Sequence, residues 1–288
     1  MEQLLDSYEA GLVAGDIEFA AHSLLFYSGL AMWGCGENLC KLEENLWVYA
    51  KRMIQFNQTY AGKGIIVYLQ QVLELVGSND VAYLSLCNSS EEEFFQEAHQ
   101  NKQRYICRMI CLKRKYLSLF KGDMSTAEKM FQLGLSYPID SIRTVTTITC
   151  DFVDGLIALF FARKHDEHEH RWTKIGEDSI SKMKQWSSSS DWNFSNKLYL
   201  LEAEYCFLKG DDTLALEKYN ASIKAAHGHR FVHEEGLAFD KLASFHLTNG
   251  RRNDALSNLA QAKKCYKIWG ALHLVAQLDI AMVLCMQS

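Results

Sequence analysis

The stretch Phe207-Leu208-Lys209-Gly210-Asp211-Asp212-Thr213-Leu214-Ala215 decides how this chain folds. An apolar run stops at a glycine, a carboxylate follows, and an alanine stands five positions after the glycine. Glycine adopts the left-handed backbone conformation that ends a helix without steric cost. Asp211 can then accept from the first free amides of a second helix. The alanine is small enough to let that helix approach the first, and Tyr219, one turn later, fills the groove between them. Two antiparallel helices joined by a tight turn are therefore predicted.

The same spacing recurs three more times, at Gly15 to Ala20, Gly122 to Ala127 and Gly250 to Ala255. Nine positions after each glycine stands a large apolar residue: Leu24, Phe131, Tyr219 and Leu259. Asp16 and Asp123 repeat the carboxylate, while Arg251 replaces it in the fourth copy. Four such turns predict an all-α fold, a tetratricopeptide-like superhelical solenoid of antiparallel helix hairpins. The glycines are unevenly spaced, so the solenoid is expected to be divergent, with long irregular helices between recognisable hairpins.

Apolar residues at helical spacing agree, with Leu198, Leu201, Tyr205 and Leu208 forming one row and Leu112, Tyr116 and Leu119 another. Further helices are expected over Leu39 to Asn57, Lys63 to Val76, Glu91 to Phe120, Ile139 to Arg163 and Trp172 to Trp186. Breaks are expected at Gly77 to Asp80, across Lys164 to Arg171, and at the serines Ser187 to Ser190. None is long enough to separate independent domains, so residues 1–288 read as one domain with a seam near 187–191.

With 48% hydrophobic residues the chain can bury a substantial core, and its one proline, Pro138, leaves long helices permitted almost everywhere. A formal net charge of -5 supplies no general attraction to nucleic acid or anionic lipid, and neither is an expected partner. Nine irregularly placed cysteines suit reduced thiols, so an intracellular, reducing compartment is expected, the cytoplasm ahead of an organelle. The acidic start Met1-Glu2-Gln3-Leu4-Leu5-Asp6 carries no targeting signature. Phe19 to Gly36 is uncharged over about the length of a membrane span, but His22, Ser23, Ser28 and three glycines favour a helix covered by neighbours. Thr144 to Ala162, interrupted by Asp151 and Asp154, reads as a soluble core helix, and no membrane insertion is expected.

Toward the carboxyl end, the run His233-Glu234-Glu235-Gly236-Leu237-Ala238 is followed by Leu242-Ala243, Phe245, Gly250, Ala255, Leu259, Ala262, Tyr266 and Trp269-Gly270-Ala271. This block resembles the helical region that follows the ATPase domain in large multidomain serine/threonine and histidine sensor kinases. The resemblance is specific over about the last hundred residues and continues more weakly through Lys197 to Glu204 and Gln185-Trp186 to the Gly15 turn. It implies a tetratricopeptide-like spacer between nucleotide-handling and output parts. The chain has no phosphate-binding loop and no kinase motif, so the catalytic activities of that family do not carry over.

Few residues suggest chemistry. His165-Asp166-Glu167-His168-Glu169-His170 carries potential metal ligands, but ligands this crowded read first as a solvated connector. Cys107 with Cys111, and Cys35 with Cys40, lack the CxxC spacing of a zinc site and read as buried small residues. His227-Gly228-His229-Arg230 reads as a helix end with basic groups near terminal carbonyls. Arg104, Arg108, Lys113, Arg114 and Lys115 read as a solvated face, and Glu91-Glu92-Glu93 as the first turn of a helix. Trp33, Trp47, Trp172, Trp186, Trp192 and Trp269 are each compatible with core packing.

No catalytic, cofactor or metal residue is assigned, and no cofactor is expected. The expected function is that of a non-catalytic scaffold that binds a protein partner and supports assembly of a complex. A regulatory helical arm of a multidomain signalling kinase or ATPase is the alternative.

Overall fold

A computed structural model describes residues 1–138, 144–164 and 169–287. The described residues form fifteen α-helices, packed for the most part against their neighbours in sequence. The chain divides into two compact units, one of residues 1–118 and 125–147, the other of residues 119–124 and 148–288.

In the first unit, α1 (Glu2–Ala14) and α2 (Ile17–Gly29) form a hairpin, and α2 continues into a π-helical turn, Leu30–Cys35. Then follow α3 (Leu39–Gln55), α4 (Thr59–Val76), a short α5 (Ala82–Cys87), α6 (Glu91–Gln100), α7 (Arg104–Lys121) and α8 (Met124–Gly134). The core centres on α4: Trp33 stands edge-on to Tyr68, centroids 4.8 Å apart, and its indole N–H donates to Gln71.

In the second unit, α9 (Val145–Ala162) and α10 (Glu169–Ser189) are followed by two close hairpins. These are α11 (Asp191–Leu208) with α12 (Asp212–Gly228), and α13 (Val232–Thr248) with α14 (Arg252–Trp269); α15 (Leu272–Gln287) packs on α14. Phe245 binds the hairpins together, edge-on to Phe207 and beside Tyr219.

At the turns, Gly15, Gly122, Gly210 and Gly250 have φ of 76°, 74°, 76° and 70°. Ala20, Ala127, Ala215 and Ala255 are each fully buried. A Cβ on Gly11 would meet the Ala20 Cβ at 3.1 Å, so α1 and α2 touch where both side chains are smallest. Asp16 accepts from the Phe19 amide and Asp211 from the Leu214 amide, each at 3.0 Å, while Arg251 makes no side-chain cap.

Several helix boundaries differ from the sequence reading. Glu91 to Phe120 is two helices, because Lys102 takes φ 56° and Gln103 turns away to accept from the Lys63 ammonium at 3.2 Å. Three of the four serines at 187–190 lie inside α10, and only Ser190 is a break, standing before α11. Ala82–Cys87 is a helix that no periodicity marked, too short to show one. Of the stretch Ile139 to Arg163, residues 139–143 lie outside the described residues, and the helix begins at Val145.

Within Phe19 to Gly36, α2 ends at Gly29 and gives way to the π-helical turn. Among the described residues, α9 is long and apolar enough to cross a bilayer, at mean hydropathy 1.7, and 67% of it is buried within the protein.

Candidate functional site

The second unit holds a cavity of about 510 Å³ where the ends of α9, α11 and α13 come together. That volume lies within the range of ligand and peptide-anchor sites. Its apolar walls include Phe160, Phe207 and Leu208, and Lys241, Ser244 and Thr248 line it from α13.

Glu204, 3% exposed, organises the polar side. Arg163, just past the end of α9, donates to the Glu204 carboxylate at 2.6 Å and to its backbone carbonyl at 3.1 Å. The Tyr219 hydroxyl donates to the other carboxylate oxygen at 2.6 Å. The Arg163 guanidinium also lies 4.6 Å from the centre of the Phe207 ring. Burial by itself would raise the Glu204 carboxyl, but Arg163, Lys241 and the Tyr219 bond outweigh it and hold the group below the ordinary range. A folded pKa below the unfolded value stabilises the protein above the ordinary carboxylate range, and that contribution is lost as pH falls through the folded value. Glu204 is therefore an ionised strut with both oxygens engaged.

Asp240, adjacent to Lys241, is shifted the other way, pushed up by burial against the pull of Lys241. Ser244 and Thr248 spend their hydroxyls on their own helix, donating to the carbonyls of Asp240 and Ser244. Lys241 has no carboxylate within ion-pair distance among the described residues, whereas Arg163 is committed to Glu204. Lys164 and Glu169 also line the cavity, which thus sets Lys241 and Lys164 beside an apolar wall. This suits a ligand group that is anionic at one end and apolar at the other.

A second cavity of about 510 Å³ lies among α10, α11 and α12, with Ile180, Cys206 and Leu214 on its walls. Two pairs of its polar groups are engaged, Lys218 with Glu202 at 2.7 Å and Tyr205, which donates to Glu177 at 3.0 Å, and Lys184 and Ser181 also line it.

The turn residues Gly15, Gly122, Gly210 and Gly250 stand at helix ends outside both cavities. One turn nevertheless reaches the first cavity, since Tyr219, four positions beyond Ala215, is the residue that holds Glu204. Sequence reasoning missed Arg163, Glu204 and Lys241. A signal was present for Glu204, a carboxylate one helical turn from both Leu200 and Leu208 and so inside an apolar row.

Other candidates resolve variously. Residues 165–168 of the histidine-rich run lie outside the described residues; among those described, no group of three or more metal-ligating side chains gathers. Cys107 and Cys111 are buried, Cys35 is half-buried and Cys40 exposed. In His227-Gly228-His229-Arg230 the left-handed residue is Arg230, φ 64°, and not the glycine. His229 stacks on Trp192, centroids 4.3 Å apart, and Trp192 is 56% exposed, unlike the buried Trp33, Trp172, Trp186 and Trp269.

The basic run on α7 is not a solvated face. Lys113 and Lys115 are buried, Lys113 between Glu74 at 2.9 Å and Glu91, with the Tyr83 ring 5.5 Å away. Glu91 also holds Arg114, so this first-turn carboxylate neutralises two cations of a neighbouring helix. No protein-family model, curated protein or solved structure matches this chain.

Proposed function

We propose that the chain is a tetratricopeptide-like solenoid that acts as a non-catalytic scaffold, binding a protein partner through the cavity at α9, α11 and α13. The solenoid reading is supported by recurrence in the second unit. Gly210 and Gly250 end α11 and α13 forty residues apart, and Asn196 and Gly236 keep the same spacing. Ala203 and Ala243 occupy a matching buried position, each five residues before the end of its helix, α11 or α13. Equal steps between small residues let successive helix pairs stack in the same way.

The observation that supports the binding reading is a cavity that sets Lys241 and Lys164 beside Phe207 and Leu208, with Arg163 already held by Glu204. The partner is a peptide segment or helix end that places a carboxylate at Lys241 and an apolar side chain against Phe207 and Leu208.

The test is isolation of the native complex from cells expressing wild type, Lys241→Glu or Ser244→Trp at equal levels. One stoichiometric protein is expected with wild type and at least tenfold less of it with either variant. Recovery of wild type as a free monomer under gentle conditions, or of the same protein in equal yield with all three chains, overturns the reading.

A further inference from the structure

The uncharged stretch from Phe19 to Gly36 is not explained by burial alone. A helix covered all round would bury its large apolar side chains, yet on α2 Phe19 is 53% exposed and Phe26 44%. His22 stands between them, three and four positions away, so the three share one face of α2. That face continues beyond the helix. The His22 ring lies 6.3 Å from the ring of Tyr60 in the first turn of α4, and the Tyr60 ring 6.0 Å from that of Tyr105 in the first turn of α7. Successive rings are tilted by only 32° and 30°, which makes a row of three ridges, with Phe19 and Phe26 on either side of the first. The row is held from behind. The Glu18 carbonyl can only accept, so the His22 Nδ1 donates to it at 2.9 Å, and Tyr105 shares a hydrogen bond of 3.0 Å with the Thr146 hydroxyl.

We propose that this row docks a proline-rich segment of a partner protein in the polyproline II conformation. Three features select that occupant. First, the pitch agrees. Polyproline II rises about 3.1 Å per residue, so prolines two apart stand about 6.2 Å apart, the spacing of the rings. A Pro-X-Pro sequence then sets one pyrrolidine on each side of Tyr60, and aromatic-lined surfaces are where such segments dock. Second, hydrogen bonding and charge are complementary. Proline offers a carbonyl and no N–H. The Tyr60 hydroxyl bonds no other group among the described residues, and burial, with Tyr105 beside it, pushes its pKa up to about 12, so it stays a donor. The row has no acidic or basic group apart from the His22 imidazole, which matches a segment without charge. Third, both sides are stiff: polyproline II is formed before binding and the outer rings are tied down, so little conformational freedom is lost. Pro138 is the one proline among the 288 residues, so a second copy of them does not supply the segment. The row belongs to the first unit and rests on nothing in the cavity of the second.

The experiment is fluorescence anisotropy of a labelled decaproline peptide titrated with the 288-residue chain, against a Gly-Ser peptide of equal length, with circular dichroism to verify folding of each variant. Wild type should bind decaproline saturably below about 1 mM and leave the Gly-Ser peptide unbound. Tyr60→Ala should weaken binding about tenfold or more and Tyr60→Phe about threefold, since the first removes the central ridge and the second only its donor. Trp192→Ala, which removes an exposed aromatic side chain of the second unit, should leave binding unchanged. Independently of any variant, a benzophenone on the peptide should attach to α2 or to the first turns of α4 and α7 in wild type. Absence of saturable decaproline binding, equal binding of the Gly-Ser peptide, or equal affinity of folded Tyr60→Ala and wild type overturns the proposal. Cross-linking confined to other helices, or binding lost in Trp192→Ala, overturns it by placing the contact elsewhere. A wild type that self-associates and is dissociated by Tyr60→Ala gives the row to a second copy and overturns it as well.

Discussion

The two units bury charge in contrasting ways. In the second, ion pairs run in series between alternate helices: Arg163 next to α9 holds Glu204 of α11, and Lys197 of α11 holds Glu234 of α13 at 2.8 Å. In the first they converge, with Lys113 of α7 held by Glu74 of α4 and Glu91 of α6, and Lys63 of α4 bound to Glu97 of α6 at 2.8 Å. The two pairs stand at opposite ends of α11, Lys197 near its start and Glu204 near its finish, so each joins it to a different helix. Where helix lengths vary from six residues in α5 to eighteen in α4, no step repeats, and each polar contact needs its own partner.

The sharpest way to break this contrast is at Glu91. Glu91→Ala strands the buried Lys113 with one partner and releases Arg114, so the first unit should lose about 3 kcal/mol or more. Hydrogen exchange should rise in α6 and α7 while α11 to α14 keep their protection. Equal loss in both units would show that the charge cluster is not local to the first. A smaller effect is expected at the repeated turn, where Gly210→Val forces a β-branched residue to φ 76° and should cost the second unit about 1–2 kcal/mol in urea unfolding. A Cβ there meets nothing within 4 Å, so the cost is conformational, and unchanged stability would remove this turn from the argument. The smallest effect is a gain. Arg251→Asp places at the fourth turn the carboxylate that caps α12 from Asp211, and should raise stability by roughly 0.5–1 kcal/mol. A loss would mean that the ring contact of Arg251 with Phe245, at 4.9 Å, outweighs a cap.

What was legible in the sequence was local. A glycine, a carboxylate and an alanine within six residues state a backbone requirement, a hydrogen bond and a size limit, none of which depends on the rest of the chain. The block from His233 to Ala271 is of the same kind. Its Gly236, Ala243, Ala255, Ala262, Tyr266 and Trp269, on α13 and α14, are all buried, so its pattern of small and aromatic residues records helix packing. The basic run misled because Arg104 to Lys115 scatters around α7 by spacing, and spacing says nothing of the carboxylates that α4 and α6 bring to meet it. Glu204 was half legible, as a charge within an apolar row whose partners stand on other helices.

The helical class and the hairpin turns follow from short-range patterns alone, because a helix end and its cap are settled within one or two turns of chain. Which cations are committed to buried carboxylates was decided by tertiary structure. Arg163 finds Glu204 forty-one residues away and Lys113 finds Glu74 thirty-nine away, and burial of a charge is tolerable only once such a partner arrives.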